Sequence, residues 1–441
     1  MKLFERMKHK NFALFVLVVL LVMPLVFVSG GCNGGSSSDF SAAQKAHRTY
    51  KIKAGGEFKV LQLTDIHLTG APENIEEVAR EQGLEPGMQD VRDGCTAYDR
   101  DMFALETVDA VIKQAKPDFI AVTGDLAYVN EGLQKPLPNY NNKHWLNVGH
   151  NDNMKPIQRF VDLIESYNIP WAFVYGNHDA EGLHGREELG NYFEGLKNCV
   201  FEKGPENVSG VGNYVVNVEN SDGTLNKALV FIDSNSYMHT HTGLSDLGNY
   251  DHIHGDQLDW YENEIANIAQ EYGLDGKTPE SFCFWHIPLV EYKTAWEGLK
   301  NSSGKFSIYN YDNFPSTMWE DGYNNEGVCH PNRTVEGAED GGHMFERILA
   351  VGSTKAIFCG HDHINYSNVK YKGVNLVYGK SIDYTAYAPM TTDTQRGGTL
   401  ITIKDGGEWH VSRVDFHGNL YKKFLEKNNK LGTYPKPDYE Y

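Results

Sequence analysis

The sequence predicts a mixed α/β fold, and three observations predict it. Short apolar runs alternate with longer segments whose apolar residues recur at helical spacing. No motif repeats at a period of roughly 20–50 residues, which excludes solenoids and propellers. Five of the apolar runs end in Asp, Asn or His, side chains that α/β sheets gather at the carboxyl ends of their strands.

The elements follow in chain order. Phe58–Leu63 reads as a strand. Asp99–Lys116 has the period of an amphipathic helix, with Phe103, Val108, Val111 and Ile112 as its inner face. Further strands are expected at Phe119–Val122, Trp171–Val174, Ala228–Ile232, Phe282–Trp285 and Ala356–Cys359. Helices are expected at Pro156–Tyr167, Asp256–Tyr272 and His343–Val351. The end turns mostly β, with strands at Val374–Val377, Thr399–Ile403 and His410–Phe416. Gly/Asn/Asp-rich stretches at 130–153 and 298–342 read as surface insertions, a frequent place for function. No boundary is visible inside 51–425, so that span is expected to be one domain, with a loose tail at 426–441.

Composition bounds the function. Of 441 residues, 40% are hydrophobic and 12% aromatic, enough for a sizeable core and too many for a disordered chain. The net charge is −19. A chain this acidic is a poor match for a nucleic-acid backbone, so no nucleic-acid polymer is expected as a partner. A pocket in which local cations attract a phosphate is not excluded.

Residues 1–31 read as an address. Lys2, Arg6, Lys8 and Lys10 precede an apolar run from Phe12 to Val28, then Ser29-Gly30-Gly31-Cys32. A basic, an apolar and a small-residue segment in that order make an export signal. Small residues ending at a Cys resemble bacterial lipoprotein signals, which implies lipidation at Cys32 and a membrane partner through that anchor. Those signals usually carry Leu three residues before the Cys, where this chain has Ser29. A plain secretory signal or an uncleaved anchor is the alternative. Residues 32–50 then read as a flexible tether, and every version places the main body outside the cytoplasm. Among the later cysteines, Cys283 and Cys359 sit in apolar runs and read as buried free thiols. A disulfide between Cys95 and Cys329, both in polar loops, is a further expectation.

The chemistry sits where the strands stop. Asp65 and His67 follow the first strand and Gly124-Asp125 the second. Gly176-Asn177-His178-Asp179 follows the third, His286 ends Phe282-Cys-Phe-Trp, and Gly360-His361-Asp362-His363 follows Ile357-Phe-Cys. Residues two apart in extended chain point the same way, so Asp65/His67 and His361/His363 are each expected to aim two donors into one space. Carboxylate, imidazole and amide oxygen suit borderline metals such as Mn, Fe and Zn. A lone Asp or His at a strand end is ordinarily a satisfied turn residue. Five such ends enriched in one ligand chemistry are harder to reach by chance.

D-x-H, G-D, G-N-H-D, H and G-H-x-H in this order resemble the calcineurin-like metallophosphoesterase superfamily over about residues 56–405. The stretch from Gly94 to Tyr128, GHDHIN and the VNLVYGKS after it look similar to the purple-acid-phosphatase-like branch known from plants and fungi. The resemblance implies two mixed β-sheets packed face to face with helices outside. It implies two divalent or trivalent metal ions (Fe, Mn or Zn): Asp65, His67 and His363 hold the first, Asn177, His286 and His361 the second, and Asp125 bridges both. It further implies hydrolysis of a phosphate-ester substrate by a metal-bridging hydroxide. In that scheme Asn177 and His178 face the phosphate, His178 is the general acid, and Asp179 orients it.

Tyr128 matches the G-D-x-x-Y of true purple acid phosphatases, whose Tyr binds ferric iron. Those enzymes lack a His at the position of His67, and this chain has both, so Tyr128 reads as a loop residue packed near the site. Asn365 and Tyr366 are weaker candidates for lining a substrate pocket. The remaining histidines read as solvated, and Asp251 and His254 as a turn capping the helix that follows. The leading reading is therefore an exported metallophosphoesterase. A phosphodiesterase or nucleotidase of the same fold, and a non-catalytic surface-binding lipoprotein, are the alternatives.

Overall fold

The structure, a computed structural model, describes residues 47–74, 97–129, 152–239, 245–298, 343–363, 365–386 and 395–420. The expected address at 1–31, both proposed disulfide cysteines, nearly all of the two insertions and the C-terminal tail lie outside the described residues.

Two mixed sheets dominate. The larger has seven strands in the order β1 (Arg48–Lys51), β5 (Tyr214–Glu219), β6 (Leu225–Phe231), β9 (Ser281–Phe284), β10 (Thr354–Cys359), β12 (Val374–Tyr378) and β11 (Asn368–Tyr371). The smaller has five, in the order β14 (Trp409–Asp415), β13 (Gly397–Lys404), β2 (Glu57–Leu63), β3 (Phe119–Thr123) and β4 (Trp171–Val174). A hairpin of β7 (Tyr237–His239) and β8 (Ser245–Tyr250) stands apart. The helices are α1 (Ala97–Ala115), α2 (Met154–Ser166), α3 (Arg186–Glu194), α4 (Gly255–Glu271), α5 (Val290–Glu297) and α6 (Met344–Val351). None of the described helices is long and apolar enough to cross a membrane.

Alternation along the strands explains the layers. On β6, Leu229 and Phe231 join a core shared with β2, β3, β4, β13 and β14 of the other sheet. Their neighbours Ala228, Val230 and Ile232 face a second core with α4, α5 and α6. The same split recurs on β9, where Phe282 and Phe284 point inward and Cys283 outward. Across the inter-sheet core, the rings of Phe282 and Trp409 lie 4.8 Å apart. The hydroxyl of Tyr214 donates to the carbonyl of Phe173 at 2.8 Å. Each fully buried large apolar side chain contributes roughly 1.5–3 kcal/mol, so the sandwich is a stable base for strained loops at its edge. Cys199, Cys283 and Cys359 are free and buried.

Two expectations need correction. The tether does not extend to residue 50, because Arg48–Lys51 pairs in parallel with Val216–Glu219 as an edge strand. Phe103 is only partly buried on α1, whose inner face is built instead from Ala104, Val108, Val111 and Ile112.

His47, just ahead of β1, fixes the start of the domain. Its ring nitrogens lie 2.9 Å from Glu264 and 2.8 Å from Glu271, both on α4. The hydrogen bond to Glu264 lifts its pKa most, burial opposes, and Glu271 adds to the lift, leaving it above the ordinary histidine value. A raised folded pKa gives stability that is complete below the unfolded value, about 6.5, and fades as pH rises through the folded one. The wild type is therefore expected to exceed His47→Ala in urea midpoint by a margin that shrinks as pH climbs above about 6.5. A margin that does not change with pH contradicts this clamp.

Candidate metal centre

The carboxyl ends of β2, β3, β4, β9 and β10 come together at one edge of the sandwich. Gln62 ties the sheets there, donating to Thr123 Oγ1 at 2.9 Å and to the Cys359 carbonyl at 3.0 Å. Immediately beyond, Asp65, His67, Asp125 and His363 form one group of converging donor atoms, and Asp125, His286 and His361 form a second. Asp125 belongs to both.

The contacts inside these groups are between atoms that cannot all be hydrogen-bonded to one another. Asp125 Oδ2 lies 3.3 Å from His67 Nε2 and 3.1 Å from His286 Nε2. His286 Nε2 also lies 3.2 Å from His361 Nδ1 and 3.2 Å from Asn177 Oδ1. Yet His286 Nδ1 faces the Thr123 carbonyl at 2.8 Å, so the neutral ring donates there and presents a lone pair at Nε2. His363 is arranged alike: Nδ1 donates to Asp383 at 2.9 Å, and Nε2 points to Asp65 Oδ1 at 3.7 Å. Both ring nitrogens of His67 are buried without a hydrogen-bond partner. Lone pairs gathered at such distances fit cations between them, since donors about 2.1 Å from one ion lie roughly 3.0–3.5 Å from each other. Buried orphan nitrogens and oxygen-rich neighbours are the chemistry of a metal centre.

With protons as the only cations, the groups show the same demand. Burial alone would lift Asp125, but the charges of His286 and His178 outweigh it and hold the carboxyl well below its usual range. Burial lowers His286, and Asp125 more than reverses this, raising it to about 9. His363 is also lifted to about 9, burial being outweighed by Asp383 and Asp65. Burial and the neighbouring His286 hold His361 well below the ordinary value.

The backbone is bent to serve this geometry. Asp65, His67, Asp125 and His361 all adopt left-handed φ, between 50° and 76°, a conformation that costs non-glycine residues energy and clusters at functional sites. Asp65 and His67 therefore converge through a turn, not through the strand alternation expected of them. His361 and His363 also separate, one to each donor group. Gly176 is obligatory: a Cβ there would lie 2.1 Å from Asp125 Oδ1 and 2.3 Å from its nitrogen.

The role expected of Asp179 is not the one it fills. Its carboxylate accepts the N–H groups of Asp125, Leu126, Ala127 and Gly176 at 2.7–3.0 Å, which fully occupies it in shaping the Asp125 loop. Glu181 is the partner of His178, at 2.7 Å from Nδ1. His178 also donates its main-chain N–H to Asp125 Oδ1 at 2.9 Å. Burial pulls the His178 imidazole down, but Asp125 and Glu181 leave it above the ordinary value.

Two further residues escaped the sequence reading. Tyr237 accepts the amide N–H of Asn177 at 2.9 Å and so turns Asn177 Oδ1 toward His286. Asp383 is buried, and its other oxygen accepts the N–H groups of Thr385 and Ala386, an arrangement that locks His363. Neither carries a motif, and only the fold brings them near. Tyr128 packs its ring 5.0 Å from His67 and 4.9 Å from His178, and burial pushes its hydroxyl up to about 12. Of the two residues considered for lining a substrate pocket, Asn365 donates to Asp362, and Tyr366 lies between Lys380 and Arg413.

Asp383→Asn keeps the shape but weakens the acceptor behind His363. It is expected to reduce affinity for metal at the first donor group about 10–100-fold. Calorimetric titration of the stripped protein checks this, and unchanged affinity contradicts it.

Residues 58–365 match the family described as calcineurin-like phosphoesterase. Among curated proteins, the chain is 26% identical over 383 residues to "Probable inactive purple acid phosphatase 29" of Arabidopsis thaliana, covering 83% of each. It is 26% identical to "Probable inactive purple acid phosphatase 14" of the same plant, covering 85% of this chain and 82% of that one. It is 28% identical to "Phosphatase DCR2" of Saccharomyces cerevisiae, covering 70% of this chain and 44% of that protein. Among solved structures, it is similar to a dimetal phosphatase from Danio rerio at TM-score 0.40 and 10% identity, over 81% of this chain and 99% of that one.

Proposed function

The chain belongs to the calcineurin-like phosphoesterase family, and from that premise we propose that it hydrolyses phosphate esters, monoesters by preference, at a dinuclear metal centre. The observation that carries the reading is the sharing of Asp125 by two donor groups with His178 at their edge. Asp65, His67, Asp125 and His363 would hold one cation, and Asp125, Asn177, His286 and His361 the other. Bound Mn, Fe or Zn would supply Lewis acidity toward phosphoryl oxygen and lower the pKa of bound water.

The chain's own residues supply the rest. The main-chain N–H of His178 fixes Asp125 Oδ1 and leaves Oδ2 facing the imidazoles. Glu181 accepts the proton at His178 Nδ1, so Nε2 is the ring atom that delivers a proton to the departing alkoxide. Asn177 and His178 meet the phosphate from one side. The deep burial of Asp65, Asp125 and His286 keeps bulk water from competing for these groups.

The names of the Arabidopsis relatives print "inactive", so phosphate capture without turnover is the second reading. The intact donor groups and the His178–Glu181 pair favour turnover. Metal-loaded protein assayed on aryl phosphate monoesters and diesters is expected to prefer monoesters. Asp125→Ala and His178→Ala are each expected to lower the rate at least ~100-fold. The His178→Ala loss should grow as the leaving alcohol becomes less acidic. Diester preference moves the reading to a phosphodiesterase, and no turnover with two metals bound favours capture.

We also propose export and lipid attachment at Cys32, supported by the sequence of residues 1–32. Expressed in a bacterium fed a clickable fatty acid, the wild type is expected to take up label and Cys32→Ala to lack it. An unlabelled wild type contradicts the anchor.

A further inference from the structure

We infer that Arg186 is a positioning residue for the second donor group, an assignment that rests on the dinuclear reading. It fastens the Gly176–Asn177 turn to the segment 233–237, and that segment supports Asn177, His286 and His361. Arg186 opens α3, and its guanidinium meets three partners at once. Nε lies 3.2 Å from Asp233 Oδ2. Nη2 donates to Ser236 Oγ at 2.6 Å and to the Gly176 carbonyl at 3.4 Å. The main chain of Arg186 is fixed as well, its carbonyl accepting the hydroxyl of buried Tyr175 at 2.9 Å. The side chain thus bridges the loop after β4 and the loop after β6.

The segment 233–237 reaches each unshared ligand of the second group. Ser236 Oγ, bound by Arg186, donates to the Asn177 carbonyl at 3.4 Å. The Tyr237 hydroxyl accepts the Asn177 amide at 2.9 Å and leaves Oδ1 to the donor group. Ser234 Oγ accepts the N–H of Ile287 at 3.0 Å, next to His286. The Tyr237 ring stacks on Tyr250 at 5.5 Å, and Tyr250 meets His361 at 4.5 Å. The first group has a different support. Asp383 holds His363, and the carbonyls of Gly124 and Asp125 accept the N–H groups of Asp65 and His67. The two groups are therefore separable in what steadies them.

Asn177 is where such support matters most. Its amide is neutral, so no net charge draws it to a cation and its neighbours must aim it. Arginine suits the task by shape and by charge. Asp233 is fully buried, and its oxygens already accept the N–H groups of Val211 and Asn235 at 2.9 Å. A buried carboxylate left without its cation is costly. An ammonium in that place would answer the charge, but it lacks the planar fork that spans carboxylate, hydroxyl and carbonyl together. Arg186→Lys therefore keeps the charge and breaks the bridge. Ser236→Ala keeps the ion pair and removes the relay to Asn177.

Titration of the stripped proteins with Mn2+, read by bound stoichiometry and by electron paramagnetic resonance, tests the inference. The wild type is expected to bind two ions per chain and to show the signal of a coupled pair. Arg186→Lys and Ser236→Ala are expected to bind the first ion as the wild type does and the second about 10–100-fold more weakly. At intermediate Mn2+ both variants are expected to show an isolated ion. Excess Mn2+ is expected to restore the coupled signal together with turnover of an aryl phosphate, a rescue that a misfolded chain would not show. Two binding steps of wild-type strength in both variants, or equal weakening of both steps, overturn the inference and leave the dinuclear centre standing. A wild type that holds one ion at saturating Mn2+ overturns the dinuclear reading and the inference with it.

Discussion

The carboxylate of Asp125 lies between the imidazoles of His67 and His286, with one oxygen bound to a main-chain N–H and the other facing ring nitrogens at 3.1 and 3.3 Å. Much of the surrounding structure is arranged to keep it there. Asp179 gathers four N–H groups to hold its loop. Gly176 leaves room that any side chain would fill. The left-handed backbone of Asp65, His67, Asp125 and His361 is strain of order 1–3 kcal/mol per residue, tolerated because a large sandwich determines these positions.

The architecture explains why donors from distant stretches meet. Three come from the ends of parallel β2, β3 and β4 and two from parallel β9 and β10, which lie in opposite sheets. Parallel strands send their carboxyl ends to one edge. Packing two such sheets face to face brings those edges together, and Gln62 fastens them by bonding to both. A polar cluster of this density is stable only where cations, or protons in their place, compensate it.

The strands of the sandwich were legible because their apolar runs are short, bounded and end in diagnostic residues. Phe119–Val122 and Trp171–Val174 differ from the observed β3 and β4 by at most one residue. The donor set was legible for the same reason, each block lying within a few positions of a strand end. What escaped lacked local signal. β5 reads YVVNVE, an apolar run with no chemistry at its end. β1 is polar and is a strand only because β5 offers an edge. Asp383 sits in a loop and Tyr237 opens the short strand β7, and their roles arise from contacts 20 and 60 residues away in sequence. Asp179 misled because adjacency to His178 suggested a partner, whereas its side chain turns back to the loop and Glu181, one turn on, takes that place. Asp251 and His254 read as a turn capping the next helix, and His254 does stand at the N-cap of α4. His252, read as solvated, is buried, and spacing alone cannot show that its ring stacks on that of His254.

The central claim is that two cations share Asp125. Anomalous diffraction from crystals grown with Mn2+ or Zn2+, recorded at the metal's absorption edge, tests it most directly. The account predicts two peaks about 3.5–4 Å apart, one within bonding distance of Asp65, His67 and His363, the other of Asn177, His286 and His361, with Asp125 between them. A single peak there, or none at saturating metal, contradicts it.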